Sequence, residues 1–181
     1  MISLSNFPVC EEFHKFEDSW NQKTNFVLQA PTGSGKSLGL PWIIYKKAIS
    51  KGQILVVQPR RIAAVSLART LSGAMKSDLG QEIGYQVRFD KRCSKESKII
   101  YLTDGILLKL ITSDSTLSRA SLVIFDEFHE RSLYLDASLA LVKKIQKEKR
   151  PDLKIMLVSA TLDLKQACNY LPNTCSLKVR G

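Results

Sequence analysis

The sequence predicts an α/β fold with a mostly parallel β-sheet that is covered by helices on both faces. Along its 181 residues, short apolar runs rich in β-branched side chains alternate with longer segments of helical periodicity, as in repeated βαβ units. Several of these runs are apolar at consecutive positions, which is typical of strands buried on both faces. The length suits one domain, so we expect a single domain over residues 1–181.

Strands are predicted from runs of Val, Ile, Leu and aromatic residues bounded by polar or turn-forming segments. These runs lie at 25–30, 53–58, 83–89, 98–102, 121–126 and 153–159, with a further short candidate at 176–180. In a parallel sheet of this kind, ligands bind beyond the carboxyl ends of the strands. Functional residues are therefore expected in the loops that follow residues 30, 58, 102, 126 and 159.

Helices are predicted between the strands, at 36–50, 60–76, 104–112, 132–148 and 163–171. Asp104 and Asp163 stand at predicted helix starts, where a carboxylate can accept hydrogen bonds from free backbone amides. Three aromatic residues recur at helical spacing in the opening stretch EEFHKFEDSW and are expected to pack against the sheet: Phe13, Phe16 and Trp20. His14, in the same stretch, is expected at the surface.

The charge balance points to a polyanionic partner. The chain carries 27 Lys and Arg against 17 Asp and Glu, a formal net charge of +10, and phosphate backbones attract such surfaces through counterion release. A lysine-rich solvated surface is the alternative. The densest basic cluster does not decide between them, because it is expected to decorate the exposed end of a helix: Lys143, Lys144, Lys147, Lys149 and Arg150.

Cysteine spacing and hydropathy indicate the cellular compartment that we expect for the protein. The four cysteines are scattered, without a CxxC pair or nearby histidines, which gives neither a zinc site nor a disulfide framework. A reducing, cytoplasmic location is therefore expected. The N-terminus lacks the pattern of a secretory signal, and no window approaches the roughly 18 apolar residues of a membrane span, so we expect no membrane association.

The first predicted strand leads into a glycine-rich loop, PTGSGKS, and then a helix. The segment 30–37 fits the phosphate-binding pattern GxxxxGK[ST], with Ala30 in place of the first glycine. Gly33 and Gly35 allow backbone amides to point at a phosphate chain, and the following helix adds its positive dipole end. Lys36 would reach the β and γ phosphates and the Ser37 hydroxyl would bind Mg²⁺. A flexible Gly/Ser loop is the alternative.

A second candidate lies where the apolar run LVIF meets Asp126 and Glu127. Asp126 can hold Mg²⁺ through its water shell, and Glu127 can orient and deprotonate an attacking water molecule. An acidic turn after a strand would look the same in isolation. The upstream glycine loop, in a chain of alternating strands and helices, favours the catalytic interpretation.

Six motifs in order resemble DEAH-box RNA helicases of superfamily 2: QAPTGSGKS, QPRRIAA, GYQVRF, TDGILL, DEFHERSL and SATLD. They span residues 29–163. Phe128 stands where most members carry Ala, and this variant of the box is most similar to that of the bacterial HrpB-type branch. The resemblance implies a RecA-like three-layer sandwich that binds ATP and Mg²⁺. It covers the first of the family's two RecA-like domains, so we expect a second one in the full-length protein.

The resemblance also implies roles for particular residues. Lys36, Asp126 and Glu127 would be catalytic, and Ser37 and Asp126 would serve the metal. ATP contacts would come from Thr32, Gly33, Ser34, Gly35, Lys36, Ser37 and, at the adenine ring, Arg69. His129, Ser159 and Thr161 would couple the nucleotide site to strand separation. RNA would be gripped by Arg60, Arg61, Thr103, Asp104 and Gly105.

Several of these assignments have structural alternatives. Arg60 and Arg61 could form surface salt bridges, the segment 103–105 could be a helix cap, and His129 could be structural. For the whole chain we expect an ATP-dependent RNA helicase domain that is weakly active alone. A nucleotide-gated RNA-binding module without turnover and a DNA-directed superfamily 2 translocase are the alternatives.

Overall fold

A computed structural model describes residues 3–161 and 163–179. Within these ranges the strands form one eight-stranded sheet with the order β4-β3-β5-β2-β6-β7-β1-β8. The strands are β1 (Asn25–Gln29), β2 (Gln53–Gln58), β3 (Ile83–Val87), β4 (Asp90–Arg92), β5 (Ile99–Thr103), β6 (Ala120–Phe125), β7 (Lys154–Ser159) and β8 (Thr174–Lys178). Neighbours pair in parallel, except that β3 and β4 form an antiparallel hairpin.

Seven α-helices accompany the sheet in the described residues, together with a 3₁₀ turn at Leu4–Asn6. They are α1 (Pro8–Glu11), α2 (His14–Glu17), α3 (Gly39–Lys46), α4 (Arg61–Met75), α5 (Asp104–Ser113), α6 (Leu133–Glu148) and α7 (Leu164–Tyr170). The predicted α/β class with a mostly parallel sheet is confirmed. The predicted strand at 176–180 is β8, although residue 180 lies outside the described residues, as does Leu162 of the SATLD motif.

The core consists of two apolar layers, one on each face of the sheet. Along β1, Phe26 and Leu28 point into one layer and Val27 into the other, as the two-residue period of a strand requires. The first layer contains apolar residues of α1 to α4, and the second those of α5, α6 and α7. Because helices cover both faces, the central strands carry apolar side chains on both sides.

The parallel pairing brings five loops to one edge of the sheet, beyond the ends of β1, β2, β5, β6 and β7. Backbone hydrogen bonds continue the pairing past the strand ends: Asp126 N donates to Val57 O over 3.0 Å, and Ala30 N donates to Ser159 O over 3.0 Å. The loops that carry the predicted functional residues are therefore held in register with one another.

The first helix after the glycine loop is shorter than predicted. It begins at Gly39 rather than at residue 36, because the backbone amides of Leu38, Gly39 and Leu40 all converge on Gly35 O. It ends at Lys46, shortly before Ala48 takes a positive φ of 52°. The intervening turn carries Lys36 and Ser37, so both side chains leave from a turn and not from a regular helix.

Two further local differences concern turns. The predicted strand at 83–89 ends at Val87, because Phe89 has a φ of 64° and begins the hairpin to β4. The opening stretch is split into two short helices, α1 and α2, instead of one.

Asp163 caps α7 as predicted, accepting from the backbone amides of Lys165 and Gln166. At α5 the capping position is Thr103, and Asp104 is the first helical residue.

The opening aromatic residues pack against the sheet as predicted. The Phe16 ring meets Phe26 edge-on with centroids 5.3 Å apart, and Trp20 stacks on Phe26 at 4.8 Å. Phe13 is fully buried and His14 is exposed. Edge-to-face and stacked aromatic pairs of this kind contribute about 0.5–1.5 kcal/mol beyond their buried area, so these contacts fix the N-terminal segment to the first apolar layer.

The basic cluster at the end of α6 is only partly a solvated surface. Lys144, Lys147 and Lys149 are exposed as expected. Arg150 has a structural role instead, because its guanidinium donates to the carbonyl oxygens of Leu117 and Ala120 and pairs with Asp152 over 2.7 Å. No helix in the described part of the chain combines the length and apolar character of a membrane span.

Candidate functional site

The glycine loop after β1 is built on two left-handed glycines. Gly33 and Gly35 have φ values of +85° and +83°, a region that side chains with a Cβ rarely adopt. Gly35 is constrained a second time, because a Cβ there would overlap the Phe7 side chain. The amide of Val9 also donates to Ser34 O over 3.1 Å. The segment around Phe7 and Val9 therefore supports the loop from behind.

Lys36 projects from this loop into the interior and meets the second candidate motif. Its side chain is 5% exposed, and its Nζ lies 3.1 Å from Glu127 Oε1. A buried ammonium is costly without a partner, and Glu127 supplies one. The structure therefore brings together the lysine and the acid that were predicted from separate parts of the sequence.

Asp126 is fully buried at the end of β6. Its Oδ2 accepts from Gln58 Nε2 over 2.6 Å, and its Oδ1 accepts from Glu127 N over 2.9 Å. Burial raises the pKa of Asp126, while hydrogen bonds from Ser37 and Gln58 lower it. Asp126 and Ser37, the two residues predicted to serve the metal, are thus in contact.

Glu127 follows with an unusual backbone. Its φ is +49°, in the left-handed region, which costs a non-glycine residue of the order of 1 kcal/mol or more. This turn directs the carboxylate between two basic residues: the Lys36 ammonium at 3.1 Å, and His129, whose Nδ1 is 3.5 Å from Oε2. Strain of this kind persists where the surroundings over-determine it, as the contacts of both neighbours do here.

His129 connects the acidic pair to the loop after β7. Its Nδ1 lies 3.0 Å from Ser159 Oγ, and that oxygen accepts from the amide of Thr161 over 3.2 Å. The fully buried Ser159 hydroxyl therefore bridges the His129 imidazole and the backbone of Thr161. The three residues predicted to couple the site to its surroundings therefore form one chain of contacts that starts at Glu127.

The loop after β2 carries the predicted RNA-binding arginines. Arg60 forms a two-pronged pair with Glu130, with Nε and Nη2 at 3.1 and 3.0 Å from the two carboxylate oxygens. The Arg60 side chain remains 72% exposed, and Arg61 is exposed at the first position of α4. The salt-bridge alternative is thus realised for Arg60, in a form that leaves its outer surface free. Arg69 is exposed further along α4, and its predicted adenine contact stays a prediction.

The segment 103–105 begins α5 and joins it to α6. Asp104 Oδ1 accepts from the amide of Gly105 over 2.7 Å, and its Oδ2 accepts from the Ser132 hydroxyl over 2.8 Å. Ser132 is itself the cap of α6. The segment therefore starts α5, with Thr103 at the capping position and Asp104 in the first turn, and it also lines a groove where a ligand could contact it.

This groove, which we call the hairpin groove, has a volume of about 750 Å³ and runs between the β3–β4 hairpin and the start of α5. Basic side chains and two exposed aromatic rings contribute to it: Arg88, Lys91, Lys109, Phe89 and Tyr134. Phe89 is 89% and Tyr134 61% exposed. A basic groove with exposed rings suits a single-stranded nucleic acid, whose phosphates need cations and whose bases stack on aromatic faces.

Comparison with known proteins decides the family. The family model for the DEAD/DEAH box helicase matches residues 12–169. The chain belongs to the DEAD/DEAH box helicase family. Within that family, the probable ATP-dependent RNA helicase DHX40 of Homo sapiens is 40% identical over 180 residues, which cover 97% of this chain and 23% of the relative. The ATP-dependent RNA helicase HrpA of Borreliella burgdorferi is 43% identical over 148 residues, covering 81% of this chain and 18% of the relative.

Solved helicase structures agree with this assignment. The Escherichia coli DEAH/RHA helicase HrpB superposes with a TM-score of 0.91 at 34% identity, covering 97% of this chain and 22% of that protein. The predicted resemblance to DEAH-box helicases, the HrpB-like character and the RecA-like fold are thereby confirmed. The chain spans less than a quarter of the length of these three relatives.

Phe128, the residue that distinguishes this DEAH-type box, has a packing role in the helicase domain. Its ring is 6% exposed within the second apolar layer, and its amide donates to Val158 O over 2.9 Å. The Arg131 guanidinium lies over the ring at 5.0 Å. No chemical role for Phe128 follows from the sequence alone. The structure supplies a mechanical one, because the buried ring anchors the strained turn at Glu127.

Sequence reasoning missed two features of the helicase site. Gln58 was recognised only as part of a motif, although a polar residue that ends an apolar strand is the same signal that drew attention to Asp126. Phe89, in the turn of the hairpin, and Tyr134, in the first turn of α6, are notable for their exposure, and the sequence does not indicate whether an aromatic residue is exposed.

Proposed function

We propose that this chain is the ATP-binding first RecA-like domain of an RNA helicase, which hydrolyses Mg·ATP and works with a second RecA-like domain of the full-length protein. The observation that carries the proposal is the meeting of Lys36 with Asp126 and Glu127 at one edge of the sheet. A phosphate-binding lysine, a metal carboxylate and a base at one point are the parts that phosphoryl transfer to water requires.

The residues present fit the nucleotide and its metal. Ser34 Oγ, in the glycine loop, is buried without a hydrogen-bond partner among the described residues, as expected where a polar ligand completes the site. Ser37 and Asp126 offer hydroxyl and carboxylate oxygens, the donors that Mg²⁺ prefers. When bound, Mg²⁺ would neutralise phosphate charge in the transition state.

The side chains then have distinct tasks. Lys36 would leave Glu127 for the phosphates, because a triphosphate carries more negative charge than one carboxylate. Glu127, released from the ion pair, would accept the proton of the attacking water. His129, in contact with both Glu127 and Ser159, would carry the change at Glu127 to the loop after β7.

RNA would cross the same edge of the sheet through the hairpin groove. Thr103, Asp104 and Gly105 lie along this groove, and Arg60 and Arg61 follow the neighbouring strand β2. Arg60 already binds the two carboxylate oxygens of Glu130 with two N–H groups, and a guanidinium can bind two oxygens of a phosphate in the same two-pronged manner. The net charge of +10 favours the same partner.

The proposal is tested by paired substitutions at Lys36 and Glu127. Lys36→Ala should weaken binding of a fluorescent ATP analogue at least tenfold, because it removes the buried cation. Glu127→Gln should retain binding and abolish turnover in the full-length protein. Unchanged turnover with Glu127→Gln would favour the nucleotide-gated binding module instead. Competition between matched RNA and DNA strands at fixed salt would identify a DNA-directed translocase.

A further inference from the structure

Gln58 lies against the carboxylate on which the proposed metal site depends. It is the last residue of β2, is 2% exposed, and donates through Nε2 to Asp126 Oδ2 over 2.6 Å. The amide of Glu127 donates to the other oxygen, Oδ1, over 2.9 Å. Two donors on opposite oxygens fix both the position and the plane of the carboxylate.

The surroundings make such donors necessary. Asp126 has no exposed surface, so water cannot solvate its charge, and a buried carboxylate without hydrogen bonds is costly. The Ser37 hydroxyl is near enough to lower the pKa of Asp126 as a third donor. If the Ser37 hydroxyl turns toward a bound cation, two of these three donors still hold Asp126: the Gln58 side chain and the Glu127 amide.

We propose that Gln58 is a positioning residue that holds Oδ2 of Asp126, so that the remaining oxygen lone pairs face the Mg²⁺ of the bound nucleotide. This inference rests on the proposed function, since it presumes Mg·ATP at the glycine loop. Gln58 does not touch the nucleotide or the metal in this arrangement. It acts through the orientation of Asp126.

The same strand contains a control for a merely structural role. Gln53, the first residue of β2, also uses its side-chain amide, donating to the carbonyl oxygens of Lys95 and Ser97 over 3.3 and 3.0 Å. These bonds tie the strand to a loop at the end of the sheet away from the acidic pair. Replacing Gln53 tests what losing a side-chain amide from β2 does to the fold alone.

The experiment measures binding of a fluorescent ADP analogue to the 181-residue chain, with and without Mg²⁺, and needs no turnover. Gln58→Met removes the donor at similar length, and Gln58→Glu keeps the shape but places a second acceptor against Asp126. Binding without Mg²⁺ should be unchanged. The factor by which Mg²⁺ strengthens binding of the ADP analogue, which we call the enhancement by Mg²⁺, should fall about 10- to 100-fold in Gln58→Met. This is the range for a lost hydrogen bond to a charged group. The enhancement should fall further in Gln58→Glu.

Gln53→Met should lower the unfolding temperature without changing the enhancement by Mg²⁺. The inference is overturned if Gln58→Met keeps the wild-type enhancement, or if Gln53→Met loses it equally. Should Gln58→Met fail to fold, Gln58→Glu carries the same test, and wild-type enhancement there also overturns the inference. If the wild-type chain binds no nucleotide, the proposed function itself fails. That result differs from one in which the wild type binds nucleotide and Gln58 substitutions leave the effect of Mg²⁺ unchanged, which overturns only the inference.

Discussion

Two separate constraints favour glycine at Gly35. Its φ of +83° excludes an unstrained side chain, and the Phe7 ring occupies the space that a Cβ would need. Lys36 and Ser37 follow directly, so a displacement of Gly35 moves both side chains that are proposed to hold Mg·ATP. The position is therefore more sensitive than a glycine in an open loop.

Gly35→Ala should destabilise the chain by about 1–3 kcal/mol, the range for a strained backbone position, and should weaken nucleotide binding. Thermal unfolding and binding of a fluorescent ATP analogue measure the two effects. Gly73→Ala is the matched control, because Gly73 is helical, exposed and has no atom near the added methyl group. It should stabilise the chain by up to about 1 kcal/mol. Equal behaviour of both variants would contradict the constraint at Gly35.

At the scale of elements, the β3–β4 hairpin and the starts of α5 and α6 form the hairpin groove. Ser132 joins the two helices by capping α6 and donating to Asp104. The hairpin is a short antiparallel addition to an otherwise parallel sheet, and its turn carries Phe89 outward. Two exposed rings, Phe89 at the end of the GYQVRF motif and Tyr134 outside the six motifs, therefore stand at the proposed RNA path.

Phe89→Ala and Tyr134→Ala should each weaken binding of single-stranded RNA by about 5- to 150-fold, which corresponds to the 1–3 kcal/mol of one stacked base. Tyr134→Phe should bind as the wild type does, since it keeps the ring. Leu141→Ala, an exposed apolar residue on the same helix as Tyr134, is the control and should have no effect. Nucleotide binding should be unchanged in all four variants, and a parallel loss would place the rings in a different role.

The elements also show how far sequence reasoning reaches. Strand positions were predictable because buried parallel strands are continuous apolar runs, and the site followed because parallel strands end at one edge. The late start of α3 was not predictable, since it depends on three amides converging on Gly35 O. The fold brings Lys36 and Glu127 together, and the spacing of the two residues along the chain does not predict that their side chains pair. The β4 hairpin depends on the positive φ of Phe89, for which an aromatic residue is a poor signal.

At the scale of the whole molecule, the proposed nucleotide site lies at one edge of the sheet, where Lys36 already contacts Glu127 of the acidic pair. The proposed function requires a second RecA-like domain, and an arginine finger from a partner element can raise phosphoryl transfer by about 10³–10⁵-fold. The 181 residues should therefore bind Mg·ATP, hydrolyse it slowly and show little or no unwinding. Single-turnover hydrolysis and a duplex-unwinding assay at stated salt measure this, and robust unwinding by these residues alone would contradict the need for a second domain.

The support that Phe7 and Val9 give to the glycine loop has a practical consequence. The match to the helicase family begins at residue 12, so both residues precede the part of the chain that the family pattern describes. A fragment trimmed to that boundary would keep every motif of the nucleotide site and lose the backing of the loop that holds it. In this protein, the glycine loop is therefore supported by residues that lie outside the six motifs.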